Sequence, residues 1–299
     1  MSDIIQIFKP EDCYDQMLFE YTNGKIKGTT TYNLDLDRAW TWRSQEFNIW
    51  TGYSNEGKSI FIKQMCLIKA LEENKKFIFY SPEDFPPSEF FDDMIHTLAG
   101  GSTDRDREGY ISEYLYRKCF DIINDLFYFV YIKPPKNTIE RILDAFDSII
   151  GNDQNIYGCI IDPILKCTPS KDAPDRDDKY AGYIGSMLVD FARTNSQSLH
   201  MVMHQLTPRA KENGLYPEPT MYNVKGGGSW ADGVDNVLSI QRPLYAKDKA
   251  DISVIFGSQK IKKQKLVGIP QSLNLKFNRK TNRYMNEHMH DLFDFNKFL

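Results

Sequence analysis

Gly52-Tyr53-Ser54-Asn55-Glu56-Gly57-Lys58-Ser59 matches G-x-x-x-x-G-K-[ST] in full, and Ile60 continues into an apolar helical pattern. Phosphate binding is the chemistry such a segment can do. Its glycines let backbone N–H groups turn inward, and the helix that follows adds positive potential at its N-terminus. Lys58 then reaches the β and γ phosphates while the Ser59 hydroxyl ligates Mg²⁺. Gly52, Ser54, Asn55, Glu56, Gly57, Lys58, Ser59 and Ile60 are the candidate contacts to ATP or another nucleoside triphosphate. A plain Gly-Lys turn capping a helix is disfavoured, because the match sits directly between a strand-like run and a helix-like one.

A phosphate loop needs an acid at the end of a neighbouring apolar strand to hold the magnesium's water shell, and YGCIIDP offers Asp162. The run KFIFYS ends in Pro82-Glu83-Asp84, a carboxylate pair at the strand edge where ligands bind in open α/β sheets. Glu83 is the candidate base that polarises the attacking water; its plainer role is negative charge ahead of a helix. A third apolar run, LHMVM, ends in His204-Gln205, a polar pair suited to sensing the γ-phosphate or to making a simple turn.

Such residues must be held by a scaffold, and the pattern names one. From Phe47 onward short β-branched or aromatic runs alternate with helical stretches, the rhythm of a parallel sheet covered by helices. Strands are expected at 47–52, 76–81, 126–132, 157–163, 199–205, 235–242 and 251–259, and helices near 58–73, 87–99, 105–123, 137–150 and 177–196. After 235 strand follows strand, which adds an antiparallel extension to a parallel α/β core. Residues 1–30 read as an arm or linker, 31–285 as the main domain, and 286–299 as an amphipathic tail that packs on the domain or on a neighbour. Two polar connections, 164–176 and 206–229, are longer than turns require and are expected to carry function.

With 299 residues, 26% charged and 41% hydrophobic, the chain can bury a full core. Its 37 basic and 41 acidic residues leave a net charge of −4, so nucleic-acid contact has to come from a local patch. Such a patch exists between Ser258 and Arg283, where Lys260, Lys262, Lys263, Lys265, Lys276, Arg279, Lys280 and Arg283 occur without an acid. The run is either a solvated face or a phosphate contact. Loop 206–229 adds Arg209, Lys211 and Lys225 plus a run of three glycines, whose bare backbone can approach a phosphodiester. Five scattered cysteines with no metal-ligand spacing fit a reducing cytoplasm, and no apolar run is long enough to cross a bilayer. An acidic N-terminal segment argues against a signal peptide.

The ordered set GYSNEGKS, YSPED, IIDP and HQ, one per successive strand, resembles the RecA-type motor of the DnaB and Twinkle replicative helicases over roughly residues 30–285. The lead-in KGTTTYNLDLDRAW is similar too. The resemblance implies a RecA-like mostly parallel sheet flanked by helices, with C-terminal antiparallel strands. It further implies Lys58 and Ser59 at the phosphates, Glu83 as catalytic base, Asp162 at the metal and Gln205 as sensor. The family's Lys-x-Arg pair, which enters the next subunit's ATP site, falls on Lys260 and Lys262; lysine lacks the bidentate fork, and which of the two is the finger stays open. Implied partners are single-stranded DNA, gripped through loops lining a central channel, further copies in a hexameric ring, and a separate primase or loader. A chain of this length has room for the motor without a primase. The expected function is an ATP-dependent ring-forming helicase motor; the alternative is a RecA/KaiC-like ATP-dependent assembly protein that unwinds nothing. A small-molecule kinase is disfavoured, since Glu83 and the lysine run would have no task in it.

Overall fold

Strand β1 (Phe47–Gly52) is buried at all six positions, as a strand covered by helices on both faces must be. The computed structural model describes residues 7–171, 173–174, 177–206, 213–225, 230 and 233–299. Strand β1 lies between β5 (Ser198–His204) and β6 (Asn236–Gln241), both parallel to it. Beyond β5 come β4 (Ile156–Ile161), β2 (Lys76–Tyr80) and β3 (Phe127–Val130), also parallel. On the other side β7 (Ser253–Ile261), β8 (Ser272–Asn278) and β9 (Arg283–Asn286) continue antiparallel. The order is β3-β2-β4-β5-β1-β6-β7-β8-β9, a RecA-like sheet with the expected antiparallel extension.

Register decides what meets at the carboxyl edge. Gly52 lies opposite His204, and Tyr80 opposite Ile161. The residues just after those strand ends are therefore brought to one rim.

The sheet's two faces are covered separately. On one, α3 (Lys58–Glu73) packs Phe61, Met65 and Ile68 into a core with Trp40, Trp42, Trp50 and Phe256, beside α4 (Pro87–Ala99) and α5 (Glu113–Leu126). On the other, α6 (Ile139–Asn152) and α7 (Asp177–Asn195) bury Ile142, Phe146, Ile184 and Leu188. Helix α5 starts at 113, later than the sequence pattern suggests, because Gly109 is in the left-handed region (φ +81°) and the Ser112 hydroxyl caps the helix by accepting from Leu115 N at 3.2 Å.

Helix α1 (Tyr14–Asn23) buries none of its residues and exposes Tyr14, Met17, Leu18, Phe19 and Tyr21. The short α2 (Leu34–Ala39) is capped by the Asn33 side chain. At the other end the tail packs on the domain, burying Leu292, Phe293 and Phe295 in the α3-side core, with Lys297 paired to Glu72. The short α8 (Gln264–Val267) follows β7.

Arg283 belongs to the basic run by sequence, but it is buried. Its guanidinium donates to the carbonyls of Thr97 and Leu98 at 2.8 Å each and pairs with Asp291 at 2.7 Å, satisfying the carboxyl end of α4. Arg279 donates to the Lys249 carbonyl. The run is thus not one continuous phosphate-facing surface. All five cysteines are free. No described helix is long and apolar enough to cross a membrane.

Candidate nucleotide-hydrolysis site

The phosphate loop leaves β1 at Gly52 and enters α3 at Lys58. Asn55 (φ +63°) and Gly57 (φ +88°) take left-handed backbone, which folds the loop back onto the helix start. Both flanking glycines are sterically required: a Cβ on Gly52 would lie 2.1 Å from the Ile240 carbonyl oxygen, and one on Gly57 2.0 Å from the Tyr284 hydroxyl.

A cleft of about 430 Å³ opens above the loop, lined by Asn55, Gly57, Lys58, Ser59, Ile60, Glu83, Asp162 and His204. Lys58 is only 4% exposed and its ammonium donates to the Tyr53 carbonyl at 2.7 Å. Burial pulls it down to about 8, against the opposing pull of Asp162, Glu56 and Glu83. Asp162, 5% exposed, is pushed up to about 6 by burial, although the Ser59 hydroxyl hydrogen-bonds its carboxyl.

A hydroxyl and a carboxylate already touching make a hard oxygen donor pair, suited to Mg²⁺ that keeps water and phosphate as its other ligands. Among the described residues there is no cluster of three or more His, Cys, Asp or Glu side chains that could hold a metal by itself. Glu56 is buried beneath the loop, where burial raises it to about 7 and the amides of Arg242 and Tyr53 donate to it.

The carboxylate pair after β2 divides its work. Asp84 accepts from Ser81 Oγ at 2.8 Å and pairs with Lys63 at 3.0 Å; Lys63 also meets Asp93 at 3.2 Å. Burial works against the Lys63 charge, yet the two flanking aspartates leave its pKa raised. Glu83 instead faces the cleft, half exposed, with Lys166 Nζ 3.3 Å away.

The polar pair after β5 also splits. Gln205, 3% exposed, donates to Thr51 Oγ1 at 3.0 Å and to the Thr220 carbonyl at 2.8 Å, tying the returning loop to β1. His204 lines the cleft, its Nδ1 3.1 Å from the Ser54 hydroxyl. Burial first, then Lys58, lowers it to about 4, so the imidazole is neutral at neutral pH.

Four further lining residues had no motif to announce them: Arg242, Tyr245, Phe277 and Tyr284. The Arg242 guanidinium stacks 3.9 Å over Tyr245 and donates to the Asp251 carbonyl. The Tyr284 hydroxyl donates to the Gly57 carbonyl at 2.8 Å. This wall of rings and a planar cation suits a nucleobase.

Lys260 and Lys262 are elsewhere. Strand β7 runs back along β6 so that Lys260 pairs with Val237 and Ile261 with Asn236, at the amino edge, opposite the chain's own cleft. Lys262 Nζ lies 3.3 Å from the buried Asp235. Lys225 lines a second cleft beside the first; Arg209 and Lys211 lie outside the described residues.

No protein-family model matches the chain, and no curated protein does. Solved structures do match. The ATPase domain of one DnaB-like helicase superposes with a TM-score of 0.77 at 15% identity, covering 94% of this chain and 99% of that one. A second DnaB-like replicative helicase, described with its interactions with primase, gives 0.74 at 15% identity, covering 95% and 69%. The fold is that of DnaB-like helicase ATPase domains.

Proposed function

We propose that this chain is the motor of a ring-forming helicase, hydrolysing ATP or another nucleoside triphosphate to move on single-stranded DNA. The observation that carries the proposal is the convergence of Lys58, Ser59, Asp162 and Glu83 on one cleft at the carboxyl edge of a RecA-like sheet. Phosphate oxygens take the place of the Tyr53 carbonyl on Lys58. Ser59 and Asp162 hold Mg²⁺, which when bound neutralises charge building on the β and γ oxygens. Glu83 accepts the proton of the water that attacks the γ-phosphorus, and the bond to the leaving diphosphate oxygen breaks. Arg242, Tyr245 and Phe277 receive the base. The neutral His204 and the loop fastened by Gln205 stand where loss of the γ-phosphate is felt first.

Assembly into a ring, taken here as a hexamer, is supported by two features. Lys260 and Lys262 lie too far from the chain's own cleft to serve it, so their catalytic task is in a neighbour's. The unburied apolar side chains of α1 need a surface to cover them, and a second copy supplies one. Single-stranded DNA is the nucleic-acid partner, with Lys225 and the basic residues of loop 206–229 as its contacts, and a separate primase or loader completes the machine. Five unpaired cysteines suit a reducing cytoplasm.

The test is Mg²⁺-dependent ATP hydrolysis with and without an oligothymidylate, followed by displacement of an annealed strand. Stimulated hydrolysis with displacement is expected. Hydrolysis indifferent to the oligonucleotide overturns the motor reading.

A further inference from the structure

Both long loops return to one place. A second cleft of about 460 Å³ adjoins the nucleotide cleft, shares Asn55, Glu83 and His204 with it, and is flanked by Lys166 from the first loop and Lys225 from the second.

Each lysine springs from a fixed backbone. The Lys166 carbonyl accepts from Asn137 Nδ2 at 2.7 Å, and the Lys166 amide donates to the Pro163 carbonyl at 3.2 Å. Asn137 is itself 1% exposed and bonded to the Tyr80 hydroxyl and to Thr168. The Lys225 amide donates to the His204 carbonyl at 2.8 Å, and Val224 bridges Gln205. The long side chains are the movable parts. That of Lys166, 55% exposed, reaches across to Glu83, 47% exposed, at 3.3 Å.

A carboxylate that must take a proton from water is impeded while an ammonium holds it. A phosphodiester is the competing partner the cleft is built for: it brings one negative charge to two lysines whose attachment points are already set.

We infer that this cleft binds a phosphodiester of single-stranded nucleic acid through Lys166 and Lys225, and that the binding draws Lys166 off Glu83, so hydrolysis is fastest on a loaded chain. The inference rests on Glu83 being the base, as proposed above. Lys166 is a positioning residue in it. Because the ion pair is exposed, the restraint is modest and graded.

The experiment compares the full chain with Lys166→Met and Lys166→Arg in ATP hydrolysis, with no addition, with oligothymidylate, and with inorganic phosphate at matched phosphate concentration. Expected for Lys166→Met is a basal kcat raised about two- to fivefold, the range an exposed ion pair can withhold. Its KM for ATP should stay unchanged and its stimulation by oligothymidylate should shrink. Lys166→Arg keeps the low basal rate and the stimulation. Inorganic phosphate stimulates neither. A wild type that is stimulated while Lys166→Met matches it in both basal rate and stimulation overturns the latch and leaves the motor intact. A basal kcat that falls in Lys166→Met also overturns it, and equal stimulation by inorganic phosphate overturns the phosphodiester assignment. A wild type that hydrolyses ATP without any response to oligothymidylate removes the motor reading and this inference together.

Discussion

The two edges of the central sheet treat buried charge in opposite ways. At the carboxyl edge, Lys58 is bonded to a carbonyl and Asp162 to a hydroxyl, both neutral partners. At the amino edge, charges meet charges: the buried Glu46 takes Arg43 at 2.9 Å, and the buried Asp235 takes Lys262 at 3.3 Å. Burial with a neutral partner pushes a group toward its uncharged form, and it moves Lys58 down to about 8 and Asp162 up to about 6. These two groups lack an anion and a cation respectively, which a magnesium nucleotide supplies together. The amino edge is balanced within the chain and holds out a half-exposed lysine.

The contrast is broken most severely by Lys58→Ala. With the loop's only cation gone, hydrolysis should fall to background, read as phosphate release; a rate near that of the parent would remove the phosphate-loop assignment. Glu83→Gln should retain nucleotide binding, measured by calorimetry, while kcat drops at least about 10²-fold, the scale of a lost general base. Normal turnover with weakened binding would make Glu83 structural instead.

At the amino edge, Lys262→Ala should bind nucleotide normally and hydrolyse about tenfold slower or worse, because charge on the transferring phosphoryl group goes uncompensated at the neighbour's site. Lys260→Ala belongs beside it. No loss in either variant leaves both lysines as a solvated strand end.

The smallest effect concerns stability. The folded value of Lys58 lies below the usual value for lysine, 10.5, so the ligand-free fold carries a penalty that is full below about pH 8. The penalty fades as pH rises from there toward the ordinary lysine value. Lys58→Met should therefore melt higher than the parent at pH 7, with a gap that narrows by pH 10. A gap independent of pH would mean that the buried charge is not what the substitution relieves.

Much of this architecture could be read from sequence because it rests on local signals. Buried parallel strands such as FNIWTG are continuous apolar runs, and their ends name the carboxyl-edge residues in order. The unread parts depend on long-range partners. Nothing near Arg283 indicates that it closes the end of α4 at Thr97, 186 residues earlier in the chain, and its place in a basic run points the wrong way. The wall of Arg242, Tyr245, Phe277 and Tyr284 is assembled from three separate stretches with no shared spacing. The division of labour between Glu83 and Asp84 is settled by Lys63 and Asp93, from α3 and α4. Strand β8 does alternate, but its lysines hid it within the basic run.

The central claim is that one chain's carboxyl edge is completed by another chain's amino edge. Mixing Glu83→Gln with Lys262→Ala tests it most directly, since only a mixed assembly contains an interface with an intact Glu83 and an intact Lys262. With subunit exchange verified by mass photometry of a size-tagged variant, the mixture should hydrolyse ATP well above the mean of the two parents. A rate equal to that mean despite exchange, or full hydrolysis by a demonstrably monomeric wild type, would contradict it.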